Sequence, residues 1–203
     1  MGLIGKIVGG TIGFALGGPL GAIAGAVFGH AFDSPPGQQI EPRYTEPLSS
    51  VEESQLAFFV GTFSMLAKLA AADGTVKTEE IKTVESFAIN DLGLSAQSRS
   101  IAFNIFRTAL DSPARFEDFA HQFYERFYNQ PQMIEMMIDI LLRVGVADGS
   151  LHASEEAMII DAVGIFNFDQ NRYNQLKFRY VGVSDQAYHV LGLSSEDSID
   201  TIK

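Results

Sequence analysis

Two stretches of this sequence decide its fold: LAKLAAADGTVKTEE at residues 66–80 and LLRVGVADGSLHASEE at residues 141–156. An Asp-Gly dipeptide stands in the middle of each stretch, and a pair of glutamates follows it with one residue of slack. The residues before the dipeptide are mostly apolar, and a glycine after a helix commonly adopts the left-handed conformation that ends it. Each stretch therefore predicts a helix, a tight corner and a second helix, so the domain contains this helical hairpin twice.

The carboxylates of the two corners are the candidate ligand residues of this domain. They are Asp73, Glu79 and Glu80 in the first copy, and Asp148, Glu155 and Glu156 in the second. The helix dipole favours negative charge in the first turn, and Thr and Ser are common helix N-caps. The simplest interpretation is therefore that these are helix-end residues, with Thr78 and Ser154 as N-caps and with Gly74 and Gly149 left-handed at the corners.

A calcium site is the alternative for these corners. Both fit the second half of an EF-hand loop, which has the pattern Asp-Gly-x-Ile-x-x-x-Glu. The carboxylate positions of the first half are occupied by apolar residues, which are Leu69 and Ala71 in one copy and Val144 and Val146 in the other. Calcium binds about six to eight oxygen atoms, and these loops offer too few. We predict no metal and no cofactor, and leave one alternative open, in which both acidic corners converge on a shared site.

The remainder of residues 50–183 also has helical periodicity. Apolar residues recur at three- and four-residue steps in several stripes: Leu56, Phe59, Val60, Phe63, Leu66 and Ala70; Ile101, Ile105, Phe106 and Ala109; and Phe116, Phe119, Phe123 and Phe127. No segment has a sustained two-residue alternation, which a half-buried strand would require. Ser112-Pro113 predicts a helix start, because Pro is favoured at the first helical position. The fold class is therefore all-α, with about seven helices in this domain.

Residues 1–32 form a separate apolar segment in which Lys6 and His30 are the only ionisable side chains. A helix of thirty residues is about 45 Å long, enough to cross a hydrocarbon core of about 30 Å. Seven glycines recur at strict four-residue spacing: Gly5, Gly9, Gly13, Gly17, Gly21, Gly25 and Gly29. Such a stripe lets helices approach closely in lipid. We predict a self-associating transmembrane helix, and favour a single span kinked at Pro19 over a hairpin of two short arms.

Residues 33–49 contain four prolines and predict an extended tether. The chain has a net charge of −11, and residues 1–32 contribute one positive and no negative charge, so the remainder carries −12. Such an acidic domain repels phosphate backbones, so we predict no nucleic-acid partner. The absence of Cys excludes disulfides and Cys-ligated zinc. No nucleophile, phosphate-loop or paired His-Glu motif is present, and we predict that the protein is not an enzyme.

Residues 184–203 resemble the opening of a J domain. The resemblance rests on Ala-Tyr-x-Val-Leu-Gly-Leu from Ala187 and on a later Ile-Lys, and its candidate site residues are Tyr188, Leu191, Gly192, Ile202 and Lys203. In a J domain the Tyr and Leu pack helix I, and Ile-Lys begins helix II. The sequence stops before the His-Pro-Asp loop that stimulates a DnaK-type chaperone, so we expect no stimulation by the chain as given.

The order of parts resembles the DjlA family of membrane-anchored DnaJ-like co-chaperones. The glycine-rich helix ends with Gly-His-Ala-Phe-Asp at residues 29–33, and residues 147–152, Ala-Asp-Gly-Ser-Leu-His, are similar to the TerB-like domain of that family. The resemblance implies a single span in the bacterial inner membrane, a dimer formed through that span, and a TerB-like bundle at residues 50–183 in the cytoplasm. The few flanking charges, Lys6 against Arg43, favour an inside N-terminus instead. We follow the family, because a J domain needs cytosolic DnaK.

Other functions stay open at this point. One is a stand-alone membrane scaffold of envelope stress that senses metal ions and has no J-domain activity. Another is a membrane-active zipper that carries a soluble passenger domain. The predicted partners are therefore the lipid bilayer, a second copy of the chain, and a DnaK-type chaperone only if a J domain is completed beyond Lys203.

Overall fold

The computed structural model describes residues 16–29, 48–74, 76, 78–147 and 150–181. These residues form eight α-helices and a π-helical turn, which are α1 (Gly18–Gly29), α2 (Ser50–Ala70), α3 (Thr78–Ser86) with the π-helical turn Phe87–Asp91 directly after it, α4 (Ala96–Asp111), α5 (Phe116–Phe127), α6 (Pro131–Gly145), α7 (Ala153–Ile165) and α8 (Gln170–Tyr180). The described part of the chain contains no strand, which confirms the predicted all-α class.

Helix α2 forms the centre of the bundle. It begins with a capping box, in which the Glu52 backbone N–H donates to the Ser49 hydroxyl and the Ser49 N–H donates to the Glu52 carboxylate at 3.0 Å. Every residue from 60 to 67 is buried, because α2 packs against α4, α5 and α6 at once. No side of α2 faces solvent over these residues, which explains why apolar and small residues occupy consecutive positions there.

Helix α5 supplies the aromatic part of the core. The four phenylalanines of the predicted stripe on this helix are all buried: Phe116, Phe119, Phe123 and Phe127. The rings of Phe123 and Phe127 have centroids 4.6 Å apart, and the ring of Phe58 from α2 meets Phe127 edge to face at 6.1 Å. Such tilted aromatic pairs add to the free energy of burial, and the stripe therefore fixes α5 against the central helix.

The two repeated hairpins are α2 with α3, and α6 with α7. In the first corner Gly74 has a φ of +89°, which confirms the predicted left-handed glycine; Gly149 lies outside the described residues. Each hairpin also has a cationic side chain in the last turn of its first helix. The ammonium of Lys68 donates to the Ser112 carbonyl oxygen at 2.8 Å beyond the end of α4, and Arg143 forms a 2.6 Å ion pair with Asp91 at the end of the π-helical turn. Equivalent positions of the repeat thus each hold the end of another helix.

Two predicted helix starts are wrong. Helix α5 begins at Phe116 instead of at Pro113, because the Arg115 N–H donates to the Asp118 carboxylate at 2.8 Å and so caps the helix three residues later. Helix α7 has His152 as its N-cap, so Ser154 lies inside the first turn. The predicted N-cap of α3 is also misplaced by one residue, because Thr78 is the first residue of that helix.

The part of the N-terminal segment that the structure describes, residues 16–29, breaks next to Pro19, where the sequence predicts a kink. Helix α1 has 12 residues, and Gly17 and Gly18 at its start have φ values of +60° and +50°. A left-handed pair of glycines beside Pro19 interrupts the helical hydrogen bonds, so Gly17 does not lie on one continuous helix with Gly21. Leu20, Ile23, Ala24 and Phe28 are buried against the bundle. Among the described helices, none combines the length and the apolar character that crossing a bilayer requires.

Candidate functional site

One glutamate from each acidic corner enters the core, and these two side chains lie together. Glu80 is the third residue of α3 and Glu155 is the third residue of α7, and each is only 3% exposed. Aligning the two glutamate pairs as pairs, with one residue of slack, matches Glu80 with Glu156 instead, whereas the ungapped register from Asp73 and Asp148 matches Glu80 with Glu155. Counting from the helix start shows that Glu80 and Glu155 are the equivalent residues of the two hairpins.

The Glu80 and Glu155 carboxyl groups are hydrogen-bonded to each other. Burial first, and the neighbouring Glu80 carboxyl second, raise the pKa of Glu155 from its ordinary 4.5 to about 7. The His152 backbone N–H donates to the Glu155 carboxylate at 3.0 Å and acts in the opposite direction. Two carboxyl groups can form such a hydrogen bond only when one of them carries a proton. The pair therefore connects the two hairpins through a shared proton near neutral pH.

The other corner residues lie outside this pair. Glu156 points to the surface and forms an ion pair with Lys177 of α8. Asp73 is exposed at the end of the first corner, and Glu79 is the second residue of α3. Asp148 lies outside the described residues. The structure therefore brings together one candidate ligand from each copy. Asp73 and Glu156 do not converge with this pair, as the alternative of a shared site would require.

The chemistry available to the pair is neutralisation of buried negative charge. When both carboxyl groups are ionised, two like charges lie in contact in a poorly solvated site, and a proton or a cation must compensate them. In the described part of the chain, no group of three or more His, Cys, Asp or Glu side chains could hold a metal ion. A carboxylate pair alone supplies fewer oxygen atoms than a calcium ion needs.

The predicted glycine stripe is described only in its second half. Gly21 is buried within α1, Gly25 is half-buried, and Gly29 is the last residue of that helix. Three stripe residues lie outside the described residues: Gly5, Gly9 and Gly13. The predicted J-domain residues also lie outside them: Tyr188, Leu191, Gly192, Ile202 and Lys203.

Gln122 on α5 contacts the N-terminal segment, and the sequence hardly predicts this contact. Its Nε2 donates to the carbonyl oxygens of Leu16 and Gly17 at 2.7 and 2.8 Å, and its Oε1 accepts from the Leu20 N–H at 2.8 Å. In a continuous helix the Leu20 N–H would donate to the Leu16 carbonyl oxygen, and at the break before α1 both groups bond to Gln122 instead. The Gly17 carbonyl oxygen, in contrast, also accepts from the Gly21 N–H at 2.6 Å. The available signal is weak: Gln122 lies directly beside the Phe119–Phe123 stripe, where a residue borders the core.

The comparison with known protein families agrees with this arrangement of helices. The sequence model described as tellurite resistance protein TerB matches residues 59–178, which cover α2 from its third turn, both corners and most of α8. The chain belongs to the TerB family. A second model, described as the co-chaperone DjlA transmembrane domain, matches residues 1–50. A TerB-family bundle thus follows a segment similar to a DjlA membrane anchor in one chain.

The curated relatives are co-chaperone proteins named DjlA. The chain is 24% identical over 187 residues to the co-chaperone protein DjlA of Shewanella oneidensis, with 86% of this chain and 70% of the relative covered. It is 27% identical over 176 residues to that of Photobacterium profundum, with 75% and 63% covered. It is 30% identical over 123 residues to that of Escherichia coli K12, with 58% and 45% covered.

The chain is therefore DjlA-like over most of its length, although it spans only 45% of the length of the Escherichia coli relative. No solved structure matches it significantly. The TerB-family bundle contains the glutamate pair, and the DjlA-like segment contains α1 and the glycines that precede it.

Proposed function

We propose that this TerB-family chain is the anchor and the regulatory or client-docking part of a membrane-bound co-chaperone of the DnaJ type. The observation that supports this proposal is the order of the two family matches, with a DjlA transmembrane domain at residues 1–50 and TerB at residues 59–178. The proposed anchor is a single span within residues 1–32, with the bundle in the cytoplasm. The proposed role is not catalytic.

The bundle suits a docking role better than an enzymatic one. Its charge is negative, since residues 50–183 contain 18 Asp and Glu against 11 Lys and Arg, a net charge of −7, so a basic partner surface would be attracted to it over a Debye length of about 8 Å. Chaperone stimulation would come from a J domain, of which residues 184–203 resemble the opening. The chain as given is not expected to stimulate a DnaK-type ATPase, whereas a protein in which the J domain continues past Lys203 is.

Membrane attachment can be tested by cell fractionation. The full chain is expected in the inner-membrane fraction and to resist alkaline carbonate extraction, and a variant without residues 1–32 is expected in the soluble fraction. For orientation, the chain contains no Cys, so Ser150→Cys on the exposed second corner gives a single reporter thiol. A membrane-impermeant maleimide should label it in inverted vesicles and not in intact spheroplasts. Labelling in spheroplasts would contradict a cytoplasmic bundle.

Self-association through the glycine stripe is the second part of the proposal. Gly5→Leu, Gly9→Leu and Gly13→Leu together should weaken dimers in membranes, because side chains on the stripe keep helix backbones apart. Gly10→Leu and Ala15→Leu add comparable bulk off the stripe and serve as the matched control. An equal loss of cross-linked dimer in both variants would show that the stripe is not the interface.

A second candidate function is a stand-alone scaffold that senses metal ions through its acidic corners. The buried Glu80–Glu155 pair favours it, since a divalent cation could replace the shared proton. Calcium or another divalent ion should then raise the melting temperature of the wild-type chain and not that of Glu155→Gln. Equal melting temperatures with and without the ion would remove this candidate.

A further inference from the structure

Helix α1 fills a groove on the TerB-family bundle. It packs against α2, α4 and α5, and buries Leu20, Ile23 and Ala24 to 2% exposure or less. The opposite side of α1 carries Ala22, which is exposed. A helix that is apolar on all sides is more typical of a bilayer than of a bundle surface. The segment that the family comparison assigns to a transmembrane domain is therefore the one that completes the core of the bundle in this structure.

The floor of the groove is shaped for close approach. A Cβ at Gly61 of α2 would lie 2.9 Å from the ring of Phe123 and 3.9 Å from a methyl group of Leu20, so only a glycine fits without displacing a neighbour. Ala57, one turn earlier on α2, is 2% exposed. Small residues on α2 thus leave the space that the Leu20 side chain occupies.

The groove also recognises the backbone of its occupant. The Gln122 side chain forms three hydrogen bonds with the chain at Leu16, Gly17 and Leu20. Two of them pair the Leu16 carbonyl oxygen and the Leu20 N–H, which would bond to each other in a continuous helix and which the helix break separates. The hydrocarbon core of a bilayer offers no substitute for these hydrogen bonds. A segment inserted in lipid would therefore have to form a continuous helix through Gly17, and the broken form is specific to the groove.

We propose that the groove between α2, α4 and α5 is a binding site for one apolar helix, that residues 16–28 occupy it in the absence of a bilayer, and that lipid competes with the groove for this segment. The proposal rests on the proposed membrane anchoring for its competition step. Residues 30–49 join α1 to α2, and an extended chain of that length reaches about 65 Å. The segment can therefore leave the groove while it remains connected to the bundle.

Departure of the segment has a functional consequence for a co-chaperone. The vacated groove exposes Ala57, Gly61 and Gln122, which together form an apolar floor with one amide donor and acceptor beside it. That surface fits a short apolar helix with unpaired backbone groups at its N-terminal end. Membrane insertion of the anchor would thereby open the bundle to such a helix from another protein.

Single introduced thiols can follow the segment, because the chain contains no Cys. The full chain is made by cell-free synthesis without lipid, and a water-soluble maleimide is then added. Ala22→Cys is expected to react at the rate of an exposed thiol, and Ile23→Cys at least about tenfold more slowly. Equal rates for the two neighbouring positions would overturn docking, whatever the membrane does.

The same variants are then made with liposomes of phosphatidylethanolamine and phosphatidylglycerol. Ala22→Cys should become protected in lipid, and Ala57→Cys on the groove floor should change from protected to reactive. Protection of both thiols in lipid would overturn the competition, because the groove would not have been vacated. Continued reaction of Ala22→Cys would instead contradict anchoring by this segment while leaving the docking in the groove supported.

Gln122→Ala tests the hydrogen bonds in the groove, with His121→Ala, an exposed neighbour on α5, as the matched control. Loss of three hydrogen bonds should lower the lipid concentration that protects Ala22→Cys by about tenfold or more. The His121→Ala background should leave that concentration unchanged. An equal midpoint in the Gln122→Ala background would show that Gln122 does not hold the segment.

Discussion

Replacement of Glu155 by Gln tests the shared proton of the two hairpins. The folded protein holds the pKa of this carboxyl at about 7, against an ordinary value of 4.5. Between these two pH values the folded state binds more protons at this group than the unfolded state does. The stabilisation is therefore complete below pH 4.5 and is lost as the pH rises through 7. The wild-type free energy of unfolding should fall over that window.

The size of the effect follows from the two pKa values. One unit of pKa difference corresponds to about 1.4 kcal/mol, so this group accounts for a loss of at most about 3 kcal/mol between pH 4.5 and pH 8. We expect about 1–3 kcal/mol. In Glu155→Gln the introduced amide carries no charge and can donate to the Glu80 carboxylate. The variant should therefore exceed the wild type in stability at pH 8 and have a flatter pH profile.

The assay is urea denaturation of the full chain in detergent micelles, followed by helical circular dichroism at several pH values from 4.5 to 8. Glu156→Gln is the matched control, since that neighbouring carboxylate lies at the surface and pairs with Lys177. The control should keep the wild-type slope against pH. Parallel wild-type and Glu155→Gln profiles, with no gain for Glu155→Gln at pH 8, would refute the shared proton.

Three further predictions concern packing at two glycines, the left-handed corner, and the cationic side chain in the last turn of the first helix of a hairpin. Each is tested by measuring the free energy of unfolding in urea. Gly61→Ala should destabilise by about 1–3 kcal/mol, because its Cβ would lie 2.9 Å from the Phe123 ring. Gly164→Ala, with no atom within 4 Å of its Cβ, should stabilise by about 0.5–1 kcal/mol, and the same sign for both would contradict the packing. Gly74→Val should cost about 1–2 kcal/mol, since φ there is +89°, and an unchanged value would mean that the corner is not left-handed. Arg143→Met should cost about 1 kcal/mol at low salt and less at 1 M salt; a salt-independent cost would point to lost packing instead of the ion pair.

The sequence predicts the parts of the fold that depend on local pattern. The repeated hairpin, the number of helices in the bundle and the buried stripe on α5 follow from apolar spacing and from the position of glycine. Gly74 is left-handed as expected, because a tight corner after a helix leaves few alternatives for that residue. These features depend on neighbours within one or two helical turns.

The parts that the sequence does not predict depend on contacts between distant elements. Ser-Pro at residues 112–113 has a start signal, yet the capping of Arg115 by Asp118 places the start of α5 later. The glutamate of each pair that enters the core depends on where its helix begins, which is five residues after the Asp in both corners, so Glu80 and Glu155 are the equivalent residues. Docking of α1 depends on Gln122, which lies about a hundred residues along the chain from its partners.

The central claim is that the chain belongs to a membrane-bound co-chaperone, and the most direct test is the steady-state ATPase rate of a DnaK-type chaperone. The protein as its source cell makes it is purified in detergent and added to the chaperone, with the 203-residue chain as the comparison. We expect a several-fold stimulation by the protein from its source cell if it carries a completed J domain, and none by the 203-residue chain. The proposed function would be contradicted if the protein from its source cell has sequence beyond Lys203 and leaves the ATPase rate equal to that of the chaperone alone.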